Sequence, residues 1–156
     1  PLRFFANTPN EPGPEAPRLR LALHNDLALG LAEDTFVANV LGARLDYRIG
    51  DATWLGGHFG YANLPGRNHR VPGLLPYLQL EQRIPILPDG PISIPVRLAL
   101  GYLLRNGSFM RLSSGLAFAL GKHAELALDL LTPTFWVTPS RTLFSLNLGV
   151  ELSLTL

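Results

Sequence analysis

The stretch that decides the fold is RLRLALHNDLALGL, residues 18–31, in which leucine recurs at every second position. The leucines stand at positions 19, 21, 23, 27, 29 and 31, and only Asn25 interrupts the series. Side chains two residues apart share one face of a β-strand, whereas on a helix they would scatter around the axis. The stretch therefore predicts a strand with one apolar face and one face of small or charged residues.

Length and composition narrow the class of protein. The chain has 156 residues, a formal net charge of +1 and no cysteine. This length suits one domain, and the near-neutral charge gives no indication of nucleic-acid binding. The lack of cysteine excludes disulfides and thiolate metal sites. No apolar run is long enough for a membrane-spanning helix. Residues 1–17 are rich in proline and are predicted to form an N-terminal tail or linker, with the folded domain in residues 18–156.

The alternation of the first stretch recurs along the rest of the chain. It is found in residues 35–49, 53–63, 74–86, 92–105, 110–120, 125–136 and 144–156. Asn106 and Gly107 stand between two of these segments, and Asn-Gly between alternating runs is a strong hairpin signal. The pattern predicts about eight antiparallel strands joined mainly by short turns.

A meander of this size is expected to close into a barrel, because closure leaves no strand edge unpaired. The interior of an eight-stranded barrel is too narrow for the leucine-sized side chains of every strand, so the leucine face must point outward. Such an apolar skin is stable against lipid and not against water. The predicted fold class is all-β, a closed eight-stranded antiparallel up-and-down transmembrane β-barrel.

This arrangement, over residues 18–156, resembles the small eight-stranded outer-membrane barrels of Gram-negative bacteria, the class of the OmpA membrane domain and OmpX. The resemblance rests on architecture and on a final alternating strand that ends the chain. It implies an integral protein of the bacterial outer membrane, surrounded by outer-membrane lipid and lipopolysaccharide. The first strand is then expected to run from the periplasm outward.

Charged residues of both signs fall on the inward face in the periplasmic half of the predicted barrel. Charges in a narrow lumen must pair or become neutral, which favours an internal plug of ion pairs over a gated ion path. His24 and Asp26 share this face and are expected to join the polar network. The central network is predicted to comprise Arg44, Glu81, Arg97, Asp129 and Glu151.

The outer half of the lumen is predicted to be apolar. The residues with inward parity there include Phe36, Val40, Tyr77, Leu103, Phe109, Leu131 and Phe135. One interpretation is structural: these side chains form a packed cap, or a β-bulge has moved some of them to the outer face. The other interpretation is a pocket for a hydrophobic ligand. Trp136 has the opposite parity and is expected to face lipid near the outer rim.

One long loop, residues 63–73, is expected on the outer side and carries Arg67, His69 and Arg70. Its positive charge suits lipid-headgroup phosphates, although loops near anionic headgroups are often basic without a specific ligand. No spacing predicts a catalytic residue, a metal site or a nucleotide cofactor.

Two functional hypotheses follow. The first is a non-enzymatic outer-membrane barrel that acts as a structural unit or anchor. It would bind an envelope protein complex through its lipid-facing wall or its N-terminal tail. The alternative is a lipid-handling barrel, a hydrophobic-ligand carrier or lipid-modifying enzyme, that uses the apolar outer lumen.

Overall fold

A computed structural model of the chain describes residues 18–31, 36–65, 70–87, 90–104, 107–139 and 142–156. The predicted tail, residues 1–17, lies outside the described residues. The strands are β1 (Leu19–Gly30), β2 (Val37–Arg48), β3 (Thr53–Pro65), β4 (Arg70–Pro85), β5 (Ile92–Leu103), β6 (Gly107–Ala119), β7 (Ala124–Val137) and β8 (Thr142–Thr155). In the part of the chain that the structure describes, no helix is long and apolar enough to cross a membrane.

The eight strands form one closed antiparallel barrel. Each strand pairs with the next, and β8 returns to β1, where Leu23 lies opposite Leu152 on one side and Ala43 on the other. Closure gives every strand two neighbours, so no edge is left unpaired. The predicted fold class is confirmed. We call the end of the barrel at which β1 begins the lower end, and the opposite end the upper end.

The leucine face of the strands points outward. In β1 the exposed and buried residues alternate without interruption from Leu19 to Ala28, so that Leu23 is 60% exposed while Ala22 and Asp26 are buried. Small and polar side chains fill the interior, as the narrow cross-section of eight strands requires. The outer wall is therefore a predominantly apolar surface of the kind that faces lipid hydrocarbon.

A β-bulge in β7 reverses the alternation near its middle. Between Asp129 and Thr132 the strand carries one residue more than the facing segment of β8. Leu130 and Leu131 consequently both face outward, at 48% and 64% exposed. A bulge of this kind moves every later side chain to the opposite face.

The bulge overturns three sequence-based placements. Leu131 and Phe135 were expected to line the lumen, but Leu131 lies on the outer wall and Phe135 is 42% exposed. Trp136 was expected to face lipid, but it is 1% exposed and lies inside the barrel. All three errors have one cause: after the extra residue, the inward and outward positions of β7 are exchanged.

Candidate functional site in the barrel lumen

A network of buried ion pairs crosses the lower half of the lumen. Glu81 of β4 is its hub, and its carboxylate accepts hydrogen bonds from Arg20 Nη1, Arg83 Nε and Arg97 Nε, each 2.7 Å long. Arg20, Glu81 and Arg97 have side chains only 1% exposed. Three guanidinium groups on one carboxylate form the charge-assisted contacts that a buried charge requires.

The network continues around the barrel from the hub. Glu151 Oε1 of β8 accepts from Arg44 Nη2 at 2.8 Å and from Arg97 Nη2 at 3.0 Å. Arg97 also pairs with Asp129 of β7. The structure thus brings together all five residues of the predicted network, on five different strands.

Asp46 and Arg20 extend this network beyond the predicted set. Asp46 Oδ2 accepts from Arg20 Nε at 2.7 Å, and Arg44 Nε lies 2.8 Å from Asp46 Oδ1. Their inward parity was readable in the sequence, but parity alone does not say which opposite charges meet across a lumen.

At the lower rim, ion pairs and an aromatic ring close the lumen. Arg83 pairs through both terminal nitrogens with Glu125. The Arg20 guanidinium carbon lies 4.6 Å from the ring centroid of Trp54, and that of Arg48 lies 5.9 Å from it. Both are cation–π distances, so the Trp54 ring interacts with two cations.

A second polar cluster lies at mid-height. His58 Nε2 and His24 Nδ1 are 2.9 Å apart, and His24 Nε2 lies 3.6 Å from Asp26 Oδ2. Asp26 in turn pairs with Arg111. His24 and Asp26 thus join the interior polar network, while His58 and Arg111 are partners that spacing along the chain does not indicate. Among the described residues, no group of three or more His, Cys, Asp or Glu could hold a metal ion.

The upper half of the lumen is filled by aromatic rings in mutual contact. His58 stacks on Tyr77 at a centroid distance of 3.8 Å, Tyr77 meets Phe109 edge-on at 5.2 Å, and Phe109 stacks on Trp136 at 5.2 Å. Trp136 Nε1 donates to Ser145 Oγ at 3.1 Å. The remaining predicted residues of this region, Phe36, Val40 and Leu103, are buried around the rings.

The predicted loop over residues 63–73 is shorter than expected, because β3 continues to Pro65 and β4 begins at Arg70, and the two strands pair over these ends. Its role in binding lipid headgroups stays a prediction. Arg67 and His69 lie outside the described residues. Arg70 is described only as the first residue of β4.

Comparison with known proteins bears on the fold. Neisserial surface protein A superimposes with a TM-score of 0.68 at 8% identity, over 88% of this chain and 97% of that one. The N-terminal β-barrel domain of Pseudomonas aeruginosa OprF gives 0.58 at 12% identity, over 86% and 96%. The chain has the fold of an outer-membrane β-barrel. The chain is also similar to a de novo designed transmembrane β-barrel, with a TM-score of 0.52 at 14% identity, over 88% of this chain and 95% of the designed one.

Sequence comparison adds no family to this result. No family model matches the chain, and no curated protein matches it significantly. At 8% to 14% identity the structural likeness establishes the fold of this outer-membrane-type barrel and nothing narrower.

Proposed function

We propose that this chain is a structural unit or anchor of the bacterial outer membrane, a barrel whose lumen is closed and does not conduct. The observation that carries the proposal is the packing of side chains from the described strands across both halves of the lumen. Ion pairs centred on Glu81 and Arg97 cross the lower half, and the rings of Tyr77, Phe109 and Trp136 pack above them.

The chemistry of this filling favours a plug over a gated path. Each arginine of the network holds two or more carboxylates on different strands, so that opening a pore would separate several buried opposite charges at once. Leaving such charges unpaired in a low-dielectric interior costs on the order of several kcal/mol per ion. The network therefore connects opposite walls of the barrel rigidly and favours a closed lumen.

Planar-bilayer recording of the refolded full chain tests this proposal. We expect no unitary conductance from the native protein at either voltage polarity. A triple variant with Glu81→Ala, Arg97→Ala and Glu151→Ala removes these connections and is expected to conduct. The matched control replaces the outward residues Leu112, Leu148 and Leu152 with alanine and is expected to stay silent.

Steady conductance by the native protein would contradict the proposal and favour an ion path. Variants that do not insert are recognised by their lack of strand signal in circular dichroism. For those, the single Glu81→Gln substitution, which keeps the side-chain volume and removes the hub charge, replaces the triple variant.

The lipid-handling alternative requires space or a retained ligand among the upper rings. Because Tyr77, Phe109 and Trp136 contact one another in series, the packing of the described residues favours the cap. Native mass spectrometry of protein extracted gently from its own membrane separates the two hypotheses. A stoichiometric protein adduct supports the anchor, whereas a retained lipid or apolar small molecule supports the alternative.

A further inference from the structure

The lipid-facing wall carries amide side chains in a mainly apolar surface, among them Asn25, Asn39 and Asn63, which lies opposite Asn39 in the β2–β3 ladder. Asn25 of β1 and Asn39 of β2 are both exposed, and Asn39 Nδ2 donates to Asn25 Oδ1 at 2.6 Å. The outward neighbours of Asn25 on its own strand are Leu23 and Leu27. Amide groups in hydrocarbon are costly unless their donors and acceptors are bonded.

The bond between the two amides uses only part of their hydrogen-bonding capacity. An asparagine side chain has two N–H donors and a carbonyl acceptor. The observed bond occupies the acceptor of Asn25 and one donor of Asn39, and it is the one side-chain bond of either amide among the described residues. Within the described ranges, both donors of Asn25 Nδ2 and the acceptor Asn39 Oδ1 are left for a further partner.

The donors of Asn25 Nδ2 and the acceptor Asn39 Oδ1 are complementary to each other. We propose that the wall formed by β1 and β2 is the contact surface for a second copy of this chain, related by a two-fold axis along the membrane normal. Asn25 Nδ2 of each copy donates to Asn39 Oδ1 of the other. A two-fold axis brings residue i opposite residue j and j opposite i, so a side-by-side donor and acceptor pair is complementary to itself.

The shape of the neighbouring wall supports close approach of a second barrel. A groove of about 620 Å³ runs along the outer surface from Leu21 of β1 to Tyr102 of β5, and its lining includes Ala43, Gly57 and Leu78. A Cβ atom placed on Gly57 would have no other atom within 4 Å. Small residues at such positions let two membrane-embedded elements come into contact over a larger area.

Membrane lipid is the rival occupant of this wall. Acyl chains fill an apolar groove, but they supply no donor or acceptor to an amide at hydrocarbon depth. A second copy supplies both, which is why the amide pair favours self-association. The proposal goes beyond a closed structural barrel and does not depend on it, because conductance and dimerisation are measured separately.

Cross-linking in phosphatidylcholine vesicles tests the contact, and the absence of cysteine from the chain makes single-cysteine variants unambiguous. Leu27 lies opposite Asn39 across the β1–β2 ladder, and Leu112 lies outward on β6, on the other side of the barrel. With a short bismaleimide linker, we expect dimers from Leu27→Cys and none from Leu112→Cys. Equal cross-linking at both positions would show random collision and overturn the proposal.

Energy transfer between copies labelled at Leu112→Cys then measures the association itself as lipid is added. Adding Asn25→Leu is expected to weaken association by about tenfold or more, since two interchain hydrogen bonds are lost. Gln82 is an exposed amide on β4 bonded to Thr53, so Gln82→Leu is the matched control and should leave association unchanged.

Circular dichroism shows whether each variant is folded, and Asn25→Leu should insert at least as well as the native chain because its wall is more apolar. Absence of energy transfer at every protein-to-lipid ratio would overturn the proposal and leave lipid as the occupant. Association that Asn25→Leu and Asn39→Leu do not weaken would overturn it as well.

Discussion

The indole of Trp136 stacks on the ring of Phe109 inside the barrel, with the ring centroids 5.2 Å apart and the planes inclined by 23°. Simple alternation along β7 would place Trp136 on the lipid-facing wall. One extra residue between Asp129 and Thr132 turns it inward, where it completes the aromatic series that begins at His58. The bulge thus determines how the upper lumen is filled.

Tryptophan fluorescence tests the inward position of both indoles. Trp54 and Trp136 are the two tryptophans of the chain, and both are buried in the barrel. We expect lipids with brominated acyl chains to quench their emission only weakly, because the barrel wall separates the rings from the chains. In a Trp54→Phe, Trp136→Phe background, Tyr102→Trp faces lipid and should be quenched strongly. Equal quenching of the native chain would contradict the inward placement.

Removal of the hub carboxylate should destabilise the barrel strongly. Glu81→Ala leaves Arg20, Arg83 and Arg97 without their shared partner, and breaking one side of a buried pair typically costs about 3–5 kcal/mol. Urea unfolding in vesicles, followed by circular dichroism, measures the free energy of unfolding.

The control for this experiment is Glu125→Ala at the lower rim. Glu125 pairs with Arg83, and both side chains are partly exposed. Water can solvate Arg83 after the substitution, so we expect a loss of about 1 kcal/mol or less. A Glu81→Ala barrel as stable as the Glu125→Ala barrel would show that the network does not brace the lumen.

Two glycines should respond differently to alanine. A Cβ on Gly101 would collide with Tyr77, Phe109 and, at 2.6 Å, the carbonyl oxygen of Pro76, so Gly101→Ala is expected to cost about 1–3 kcal/mol by overpacking. Gly57→Ala points into open space on the wall and should be neutral or slightly stabilising. The same unfolding assay compares them. The packed interior would be in doubt if both substitutions were neutral.

Leu131→Arg tests the bulge directly. Leu131 faces outward near the middle of β7, and an arginine at the midplane of the lipid face costs about 2–4 kcal/mol. Leu31→Arg, at the exposed residue that follows β1, should cost about 0–1 kcal/mol because it lies near the interface. Folding into vesicles at increasing urea gives both values. A cost at position 131 no larger than at position 31 would argue against lipid exposure of Leu131.

Much of the lumen was predictable from inward parity. Arg44, Glu81, Arg97, Asp129 and Glu151 were expected together because charges on one narrow face have to find partners, and the structure joins them. The pairing of Arg20 with Glu81 was not predictable, since it joins β1 to β4 across the lumen. Such contacts depend on the stagger of the strands around the barrel.

The sequence alone determined the eight strands, the outward direction of the leucines and the polar or apolar character of each half of the lumen. Those features follow from a period of two residues and from how much side chain a narrow barrel can hold. Only the tertiary structure decided the phase of β7 after Asp129, and with it the places of Leu131, Phe135 and Trp136. A period is a local property of one strand, whereas a bulge is set by the fit between neighbouring ladders when the barrel closes.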